Sequence, residues 1–234
     1  MNRGKLYLIP CPISEDGNHS ITPHCINVVS STRYFVVEKI KTARRFFKSV
    51  NRQIVIDDLF FFELNETNDT KELHAFLAIM KDGLDVGVVS EAGCPAIADP
   101  GHLAVMYAHQ NGYEVMPLAG PSSILMALIS SGFNGQRFTF YGYLPIPKTE
   151  LISTLKQMEI EVKQTGTTQI FMETPYRNSS VLKECIHSLQ PSTRLCVACD
   201  LDAPTQIIKT MNLSAWKKFD AQSLHKRPCI FLIG

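Results

Sequence analysis

Short apolar runs alternate with helical patterns along the whole of this chain, and this alternation restricts the possible folds more than any other feature. The first runs of strand length cover residues 6–10, 34–38, 54–57, 85–90 and 113–118. A second set reads FTFYGYL, TQIFMET, RLCVACDL, TQIIKTM and RPCIFLIG. Strands that alternate with helices are typical of α/β proteins, so the sequence predicts an α/β fold.

Between the strands, clear helical patterns cover residues 68–83, 102–112 and 121–132. The first pattern starts with Asp69 as a possible N-cap, and Glu72 follows three residues later. Gly83 follows the end of this helix, and Gly112 and Gly132 end the other two, where glycine can adopt the left-handed conformation. Pro121 suits the first turn of the third helix because its missing N–H costs nothing there.

A Pro-rich passage, YGYLPIPKTE, lies where the second set of strands begins. It indicates a boundary between two lobes near residues 118–145. Lobes of residues 1–118 and 119–234 would each have an ordinary domain size.

The composition is that of a globular protein, with 45% hydrophobic and 19% charged residues. The opening MNRGKLYLIP has too short an apolar run for a signal sequence. No apolar segment approaches the roughly 18 residues that a membrane span requires. These features predict a soluble, cytoplasmic protein without membrane association.

The net charge of +1 does not indicate nucleic-acid binding, but residues 39–56 contain no acidic side chain. The basic residues of this stretch are Lys39, Lys41, Arg44, Arg45, Lys48 and Arg52. They form either a face that attracts phosphate or an ordinary solvated helix surface.

The seven cysteines are scattered and odd in number, which predicts reduced thiols rather than a disulfide framework. Cys196 and Cys199 form a C-x-x-C motif, but strand alternation sends them to opposite faces and no second pair follows. His74, His102 and His109 lie in predicted helices without metal-ligand partners at suitable spacing, so no metal site is expected.

The loop SEAGCPAIADPG, residues 90–101, directly follows an apolar run that is predicted to be a strand. Its small residues let the main chain approach a ligand, and its two prolines stiffen it. It matches neither a nucleotide-triphosphate loop nor a dinucleotide-binding loop. A second loop, LAGPSS at 118–123, again ends a strand and opens a helix. These loops are either tight turns or parts of a ligand cradle.

These loops carry a resemblance to the tetrapyrrole methylase superfamily, closest to its branch of small-subunit ribosomal RNA cytidine ribose 2′-O-methyltransferases. The branch typically shows S-D-A-G-T-P-x-x-x-D-P-G, then P-L-P-G-P and G-F-L-P, and this chain has SEAGCPAIADPG, PLAGP and GYLP. Looser similarities are FMETPYR at 171–177 to F-Y-E-S-x-H-R, and ACDL at 198–201 to A-R-E-L.

The resemblance implies an S-adenosylmethionine-dependent methyltransferase of two α/β lobes, usually a homodimer, with the methyl donor in the cleft between the lobes. The residues that it places at the donor site are Pro10, Ser90, Ala92, Gly93, Cys94, Ala96, Ile97, Asp99, Ser122, Ser123, Met172 and Ala198.

A ribose hydroxyl is a poor nucleophile until a nearby group accepts its proton. Glu38, Glu173 and Asp200 are the candidate catalytic residues because each lies at or near the carboxyl end of a predicted strand. Methyl transfer from a sulfonium needs no metal.

The chain departs from the branch outside the cradle. Where the branch has A-E-D-T-R, this chain reads VEKIK at 37–41, and the closing R-K-G-E has become HKRP at 225–228. These departures bear on the substrate more than on the methyl donor. The function that the resemblance implies is methylation of ribosomal RNA at a ribose 2′-hydroxyl, and this is the favoured interpretation. The alternatives are methylation of a tetrapyrrole or another small acceptor, and donor binding without turnover.

Overall fold

The computed structural model describes residues 3–65 and 70–234. The chain divides into two compact units, Met1–Ser122 and Ser123–Gly234. No helix in the described parts is both long and apolar enough to cross a membrane. All seven cysteines are free in the structure.

The first unit contains a parallel sheet with helices on both faces. Its strands are β1 (Lys5–Ile9), β2 (Tyr34–Val37), β3 (Phe60–Glu63), β4 (Val86–Val89) and β5 (Glu114–Pro117). Its helices are α1 (Pro23–Ser31), α2 (Ile40–Val50), α3 (Thr70–Leu77) and α4 (His102–Gln110). The spatial order of the strands is β3-β2-β4-β1-β5, and all pairs are parallel.

Strand β4 is buried throughout because helices cover both faces of this sheet. Phe35, Phe46 and Phe47 lie in the core on the side of α1 and α2, whereas Leu73 and Leu77 lie in the core on the side of α3 and α4. A strand that is covered on both faces appears in the sequence as a continuous apolar run, as β4 does.

The predicted strand at residues 54–57 is wrong. Ile54 is buried against α1 and α2, and a short 3-10 helix follows at Ile56–Asp58. The strand is instead β3, which pairs with β2 and lies at the edge of the sheet. Its apolar residues were overlooked because residues 54–57 also form an apolar run, and a run alone does not determine which segment reaches a partner strand.

The predicted helices are present with adjusted ends. Helix α3 continues as a 3-10 helix at Ala78–Asp82, and Asp69, its proposed N-cap, lies outside the described residues. Gly83, Gly112 and Gly132 have φ values of 82°, 68° and 74°, which confirms the left-handed positions. Pro121 is not in the first turn, because the third predicted helix begins at Ser123.

The second unit contains a mixed sheet. Its strands are β6 (Phe138–Tyr143), β7 (Thr168–Met172), β8 (Arg194–Cys199), β9 (Ile207–Asn212) and β10 (Cys229–Ile233). Its helices are α5 (Ser123–Ser131), α6 (Lys148–Thr165), α7 (Asn178–Ser188) and α8 (Leu213–Trp216). The order is β6-β7-β10-β8-β9, in which β6 and β7 are parallel and the other pairs are antiparallel.

Phe171, Phe231 and Trp216 are fully buried in the core that this sheet forms with α6, α7 and α8. The indole Nε1 of Trp216 donates to the Leu195 carbonyl at 3.0 Å, so its polar atom is satisfied. Helix α5 packs against β8, β9 and β10, where the Thr210 hydroxyl donates to the Ser131 carbonyl at 2.7 Å.

Glu159 on α6 makes a buried polar contact that should support the second unit. Its carboxylate accepts hydrogen bonds from the Thr193 hydroxyl and from the Gln190 amide, the latter at 2.8 Å. Burial raises the pKa of Glu159, but these bonds and the Lys163 ion pair at 3.1 Å outweigh it, so the net pKa is lowered.

We expect Glu159→Ala to lower the free energy of unfolding at pH 7 by about 2 kcal/mol, because buried donors lose their partner. A lowered folded-state pKa contributes stability above the ordinary value of 4.5, and this contribution is lost as the pH falls below it. The difference from wild type should therefore shrink between neutral and acidic pH in urea unfolding. Glu150→Ala, at an exposed position of the same helix, serves as the control. If the free energies of unfolding of wild type and Glu159→Ala differed equally at both pH values, the prediction would be contradicted.

Candidate functional site

The carboxyl ends of β1, β2, β4 and β5 lie at the same edge of the first sheet because these strands are parallel. After β1 the chain crosses towards β2, and after β4 it crosses in the opposite direction towards β5. Ligands in open α/β sheets bind at such a switch point. Here it lies between the ends of β1 and β4, where Cys11 and Gly93 exchange backbone hydrogen bonds of 2.8 and 3.1 Å.

The loop at residues 90–101, called the cradle below, is held in shape by Asp99. One carboxylate oxygen, Oδ1, accepts from the amides of Ala96 at 2.9 Å and Gly101 at 2.7 Å. Ala96 and Ala98 have φ values of 68° and 59°, a left-handed conformation that costs energy for residues other than glycine. The Asp99 hydrogen bonds therefore help to hold a strained loop.

The other oxygen of Asp99, Oδ2, is buried and has no hydrogen-bond partner in the structure. Burial raises the pKa of this carboxyl group, although the amides of Gly101 and Ala96 counteract the shift. Ser90 also acts within the loop, since its hydroxyl donates to the Ala92 carbonyl at 3.2 Å. The side chains of Asp99 and Ser90 thus hold the main chain of the loop that contains Ala92, Gly93, Cys94 and Ile97.

The second small-residue loop lies directly against the end of β1. A Cβ atom on Gly120 would be 2.2 Å from Cγ of Pro10, so only glycine lets the main chain approach this proline. The Cys94 thiol donates to the Pro121 carbonyl at 3.4 Å. The cradle, Pro10 and the loop that ends at Ser122 therefore form one connected surface of the first unit.

Glu38 follows β2 and contacts the cradle. Its carboxylate accepts from the Glu91 amide at 2.5 Å. Burial raises the pKa of Glu38; the Glu91 amide counteracts this shift, and the nearby Asp99 and Glu91 carboxylates add to it. A carboxylate with a raised pKa at the edge of a ligand cradle is a candidate general base.

The Glu91 side chain links the cradle to α2 and was not singled out from the sequence. It accepts from the Lys39 ammonium at 2.6 Å and from the Thr42 hydroxyl at 3.2 Å. Both partners lie about fifty residues before Glu91 in the chain, so no local sequence signal reveals the link.

In the second unit, Met172 and Ala198 are brought together by strand pairing. Met172 is paired with Ile230, and Ile230 is paired with Ala198 on its other side. The three side chains share one face of the sheet because paired residues point the same way. Ser123 is the first residue of α5, which packs on β8 and β10. Ile230 lies between Met172 and Ala198, and no motif of the resemblance includes it.

Glu173 is fully buried at the end of β7, and neither carboxylate oxygen has a hydrogen-bond partner in the structure. It forms an ion pair with Arg177 at 3.3 Å. Burial raises the pKa of Glu173, and the Arg177 charge opposes this shift. The ion pair therefore compensates the buried charge only in part.

Asp200 follows β8 with a left-handed φ of 48°. Its Oδ2 accepts from Arg227 Nε at 2.8 Å and from the Thr205 hydroxyl at 2.6 Å. This oxygen is more strongly engaged than the carboxylates of Glu38 and Glu173. Within residues 3–65 and 70–234, no group of three His, Cys, Asp or Glu side chains could hold a metal ion.

The basic stretch largely forms α2, and all of its cationic side chains are exposed: Lys39, Lys41, Arg44, Arg45, Lys48 and Arg52. Lys39 pairs with Glu91, and Arg44 lies 5.8 Å from the centre of the Phe61 ring. Lys41 and Arg45 form no ion pair with any described residue. The helix thus presents a positively charged surface beside the cradle, to which Lys39 is bound.

Comparison with known proteins shows clear relatives, although no family model matches the chain. Ribosomal RNA small subunit methyltransferase I of Thermotoga maritima is 31% identical over 184 residues, which cover 78% of this chain and 77% of the relative. The crystal structure of the methyltransferase CobJ matches with a TM-score of 0.65 at 16% identity. The match covers 99% of this chain and 94% of the CobJ chain.

Uroporphyrin-III-C-methyltransferase from Thermus thermophilus has a TM-score of 0.60 at 14% identity, again covering 99% of this chain and 94% of its own. These structures confirm the predicted α/β fold of the tetrapyrrole methylase type. Because 31% of the 184 aligned residues are identical to those of the Thermotoga relative, over most of both chains, this protein belongs to the family of ribosomal RNA small subunit methyltransferase I.

Proposed function

We propose that this protein methylates a ribose 2′-hydroxyl of small-subunit ribosomal RNA, with S-adenosylmethionine as the methyl donor. Its relatives are named for methylation of small-subunit ribosomal RNA. The observation that supports this proposal most is the cradle at the switch point of the first sheet, beside the Glu38 carboxylate and the basic surface of α2.

The cradle is chemically suited to an adenosyl sulfonium. Gly120 lies so close to Pro10 that a methyl group would already overlap, which leaves the main chain bare at this edge. The buried, unpartnered Oδ2 of Asp99 is an acceptor of the kind that a ribose hydroxyl or an amino group requires. The proposed donor residues are those that the sequence resemblance selected, from Pro10 to Ala198, with Ile230 added by strand pairing.

When bound, S-adenosylmethionine supplies a methyl group that is already activated by the positive sulfur. The protein must position the acceptor and remove its proton. Glu38, Glu173 and Asp200 stay the proposed catalytic carboxylates. Glu38 is the preferred general base because it lies beside the cradle, whereas Asp200 is engaged by Arg227 and Thr205.

The family resemblance also supports a homodimer in the cytoplasm. The Pro-rich passage and ordinary domain sizes support lobes at residues 1–118 and 119–234. Light scattering on the purified protein tests the dimer directly, because a monomer mass would contradict it.

The decisive experiment supplies purified protein with methyl-labelled S-adenosylmethionine and unmethylated small-subunit ribosomal RNA. We expect label in the RNA, recovered after nuclease digestion as a 2′-O-methylated nucleoside. Label that enters a tetrapyrrole but not RNA would favour the small-acceptor alternative. Donor binding without transfer to either substrate would favour a binding protein.

The basic surface of α2 gives a separate prediction. Arg45→Glu should weaken RNA binding and reduce the slope of log affinity against log salt by about 1, because an RNA-phosphate contact is lost. Filter binding over a salt series measures this slope. Lys156→Glu on α6 makes the same charge change on another exposed helix position and should leave the slope unchanged. Equal slopes for wild type and Arg45→Glu would contradict the role of α2.

A further inference from the structure

The loop after β7 presents Tyr176 on the surface of the second unit. The Tyr176 side chain is 69% exposed, more than the exposed aromatic residues Tyr143 at 57% and Phe60 at 55%. It stands in the FMETPYR segment, at the position where the related pattern has histidine. The exposed tyrosine ring at this position is therefore a feature of this chain and not of the related pattern.

Two residues from a distant part of the chain surround this ring. The Lys226 ammonium lies 5.9 Å from the ring centre, and the His225 ring lies 5.9 Å away at an interplanar angle of 75°. Both residues are exposed. They come from the HKRP segment, which also departs from the family pattern, so the two altered segments contact each other.

The backbone under this cluster is fixed by several hydrogen bonds. The Lys226 amide donates to the Pro175 carbonyl at 3.0 Å, and Asn178 Nδ2 donates to the Arg227 carbonyl at 2.6 Å. Arg227 donates in turn to Asp200 and to the carbonyls of Ser223 and Thr205. A surface that is already ordered loses little entropy when it binds a ligand.

The charges around the ring are not balanced. The carboxylates that directly follow β7 and β8 are paired, Glu173 with Arg177 and Asp200 with Arg227. Lys226 forms no ion pair with any residue that the structure describes. The cluster therefore combines an exposed aromatic ring, an imidazole and an uncompensated ammonium group.

We infer that Tyr176, His225 and Lys226 form a subsite for one nucleotide of single-stranded RNA. The base stacks on the Tyr176 ring, and the Lys226 ammonium contacts the adjoining phosphate. Single-stranded RNA is bound by this combination of aromatic stacking and nearby cations. The inference rests on the proposed function, because it assumes that RNA is the substrate.

The test measures the affinity of full-length protein for a short, fluorescein-labelled, single-stranded RNA of mixed sequence. We expect Tyr176→Ala to weaken binding by about tenfold, the loss typical of one stacked base, while Tyr176→Phe stays close to wild type. Tyr143→Ala is the matched control, since Tyr143 is 57% exposed and has no cation over its ring in the described structure. Lys226→Asn should reduce the salt slope by about 1. Asparagine tolerates the left-handed φ of 62° found there.

Three results would overturn the inference while leaving the proposed function intact. They are an unchanged affinity of Tyr176→Ala, an equal loss in Tyr143→Ala, and full RNA binding by Tyr176→Leu, which would show that the ring is not needed for stacking. If wild type neither binds nor methylates RNA, the proposed function itself fails. Photocross-linking of bromouridine-substituted RNA to the peptide that contains Tyr176 would support the subsite even if a variant proved unstable.

Discussion

Gly120→Ala should lower the affinity for S-adenosylmethionine by at least about tenfold. The added Cβ would lie 2.2 Å from Cγ and 2.4 Å from Cβ of Pro10. Pro10 is buried, and its ring has no flexible end that could move away. Relief of the overlap requires a shift of the loop at 118–122 away from the end of β1, and overpacking of this kind typically costs about 1–3 kcal/mol.

Isothermal titration calorimetry with S-adenosylmethionine measures this loss, and thermal unfolding shows whether the variant stays folded. Gly135→Ala is the control, because a Cβ there meets nothing within 4 Å and its φ is not left-handed. An unchanged dissociation constant for Gly120→Ala would show that the donor does not bind at this edge. That result would remove the main support for the proposed donor site.

Glu38→Gln should lower kcat for RNA methylation by about 100-fold, the lower range for loss of a general base. The glutamine carbonyl oxygen can still accept from the Glu91 amide, so the cradle and the donor affinity should be preserved. The glutamine side chain cannot act as the base that takes the proton from the ribose hydroxyl. Single-turnover rates at saturating donor separate this loss from a binding defect.

The pH dependence gives a second measure of the same residue. Because burial raises the pKa of Glu38 above 4.5, the wild-type rate should fall on the acidic side at a pH above the ordinary glutamate range. Glu38→Gln should lack this acid limb. Glu63→Gln is the matched control, since Glu63 ends the neighbouring strand β3 and accepts from the Ile40 amide at 2.9 Å. A Glu38→Gln rate within a factor of about three of wild type would exclude this base.

The carboxylates differ in ways that the sequence does not reveal. Glu38, Glu173 and Asp200 all follow apolar runs, so periodicity treats them alike. In the structure, Glu38 is bonded to the cradle, Glu173 is buried with one ion pair, and Asp200 is bound by Arg227 and Thr205. Environment determines which carboxylate can act as a base, and part of it comes from distant residues, such as Glu91 for Glu38 and Arg227 for Asp200.

The sequence by itself determined the α/β class, nine of the ten strand positions, the left-handed glycines and the location of the small-residue loops. These features depend on local patterns, namely apolar periodicity and the backbone freedom of glycine. The error at residues 54–57 arose where two neighbouring apolar runs competed for one place beside β2.

Only the tertiary structure decided which loops meet. The strand order β3-β2-β4-β1-β5 places Pro10, Glu38, the cradle and Gly120 at one edge, and pairing of β7 with β10 and of β10 with β8 places Ile230 between Met172 and Ala198. The contact of Tyr176 with His225 and Lys226 likewise joins segments some fifty residues apart. Such contacts arise from sheet pairing and core packing, which depend on the whole chain rather than on any short segment.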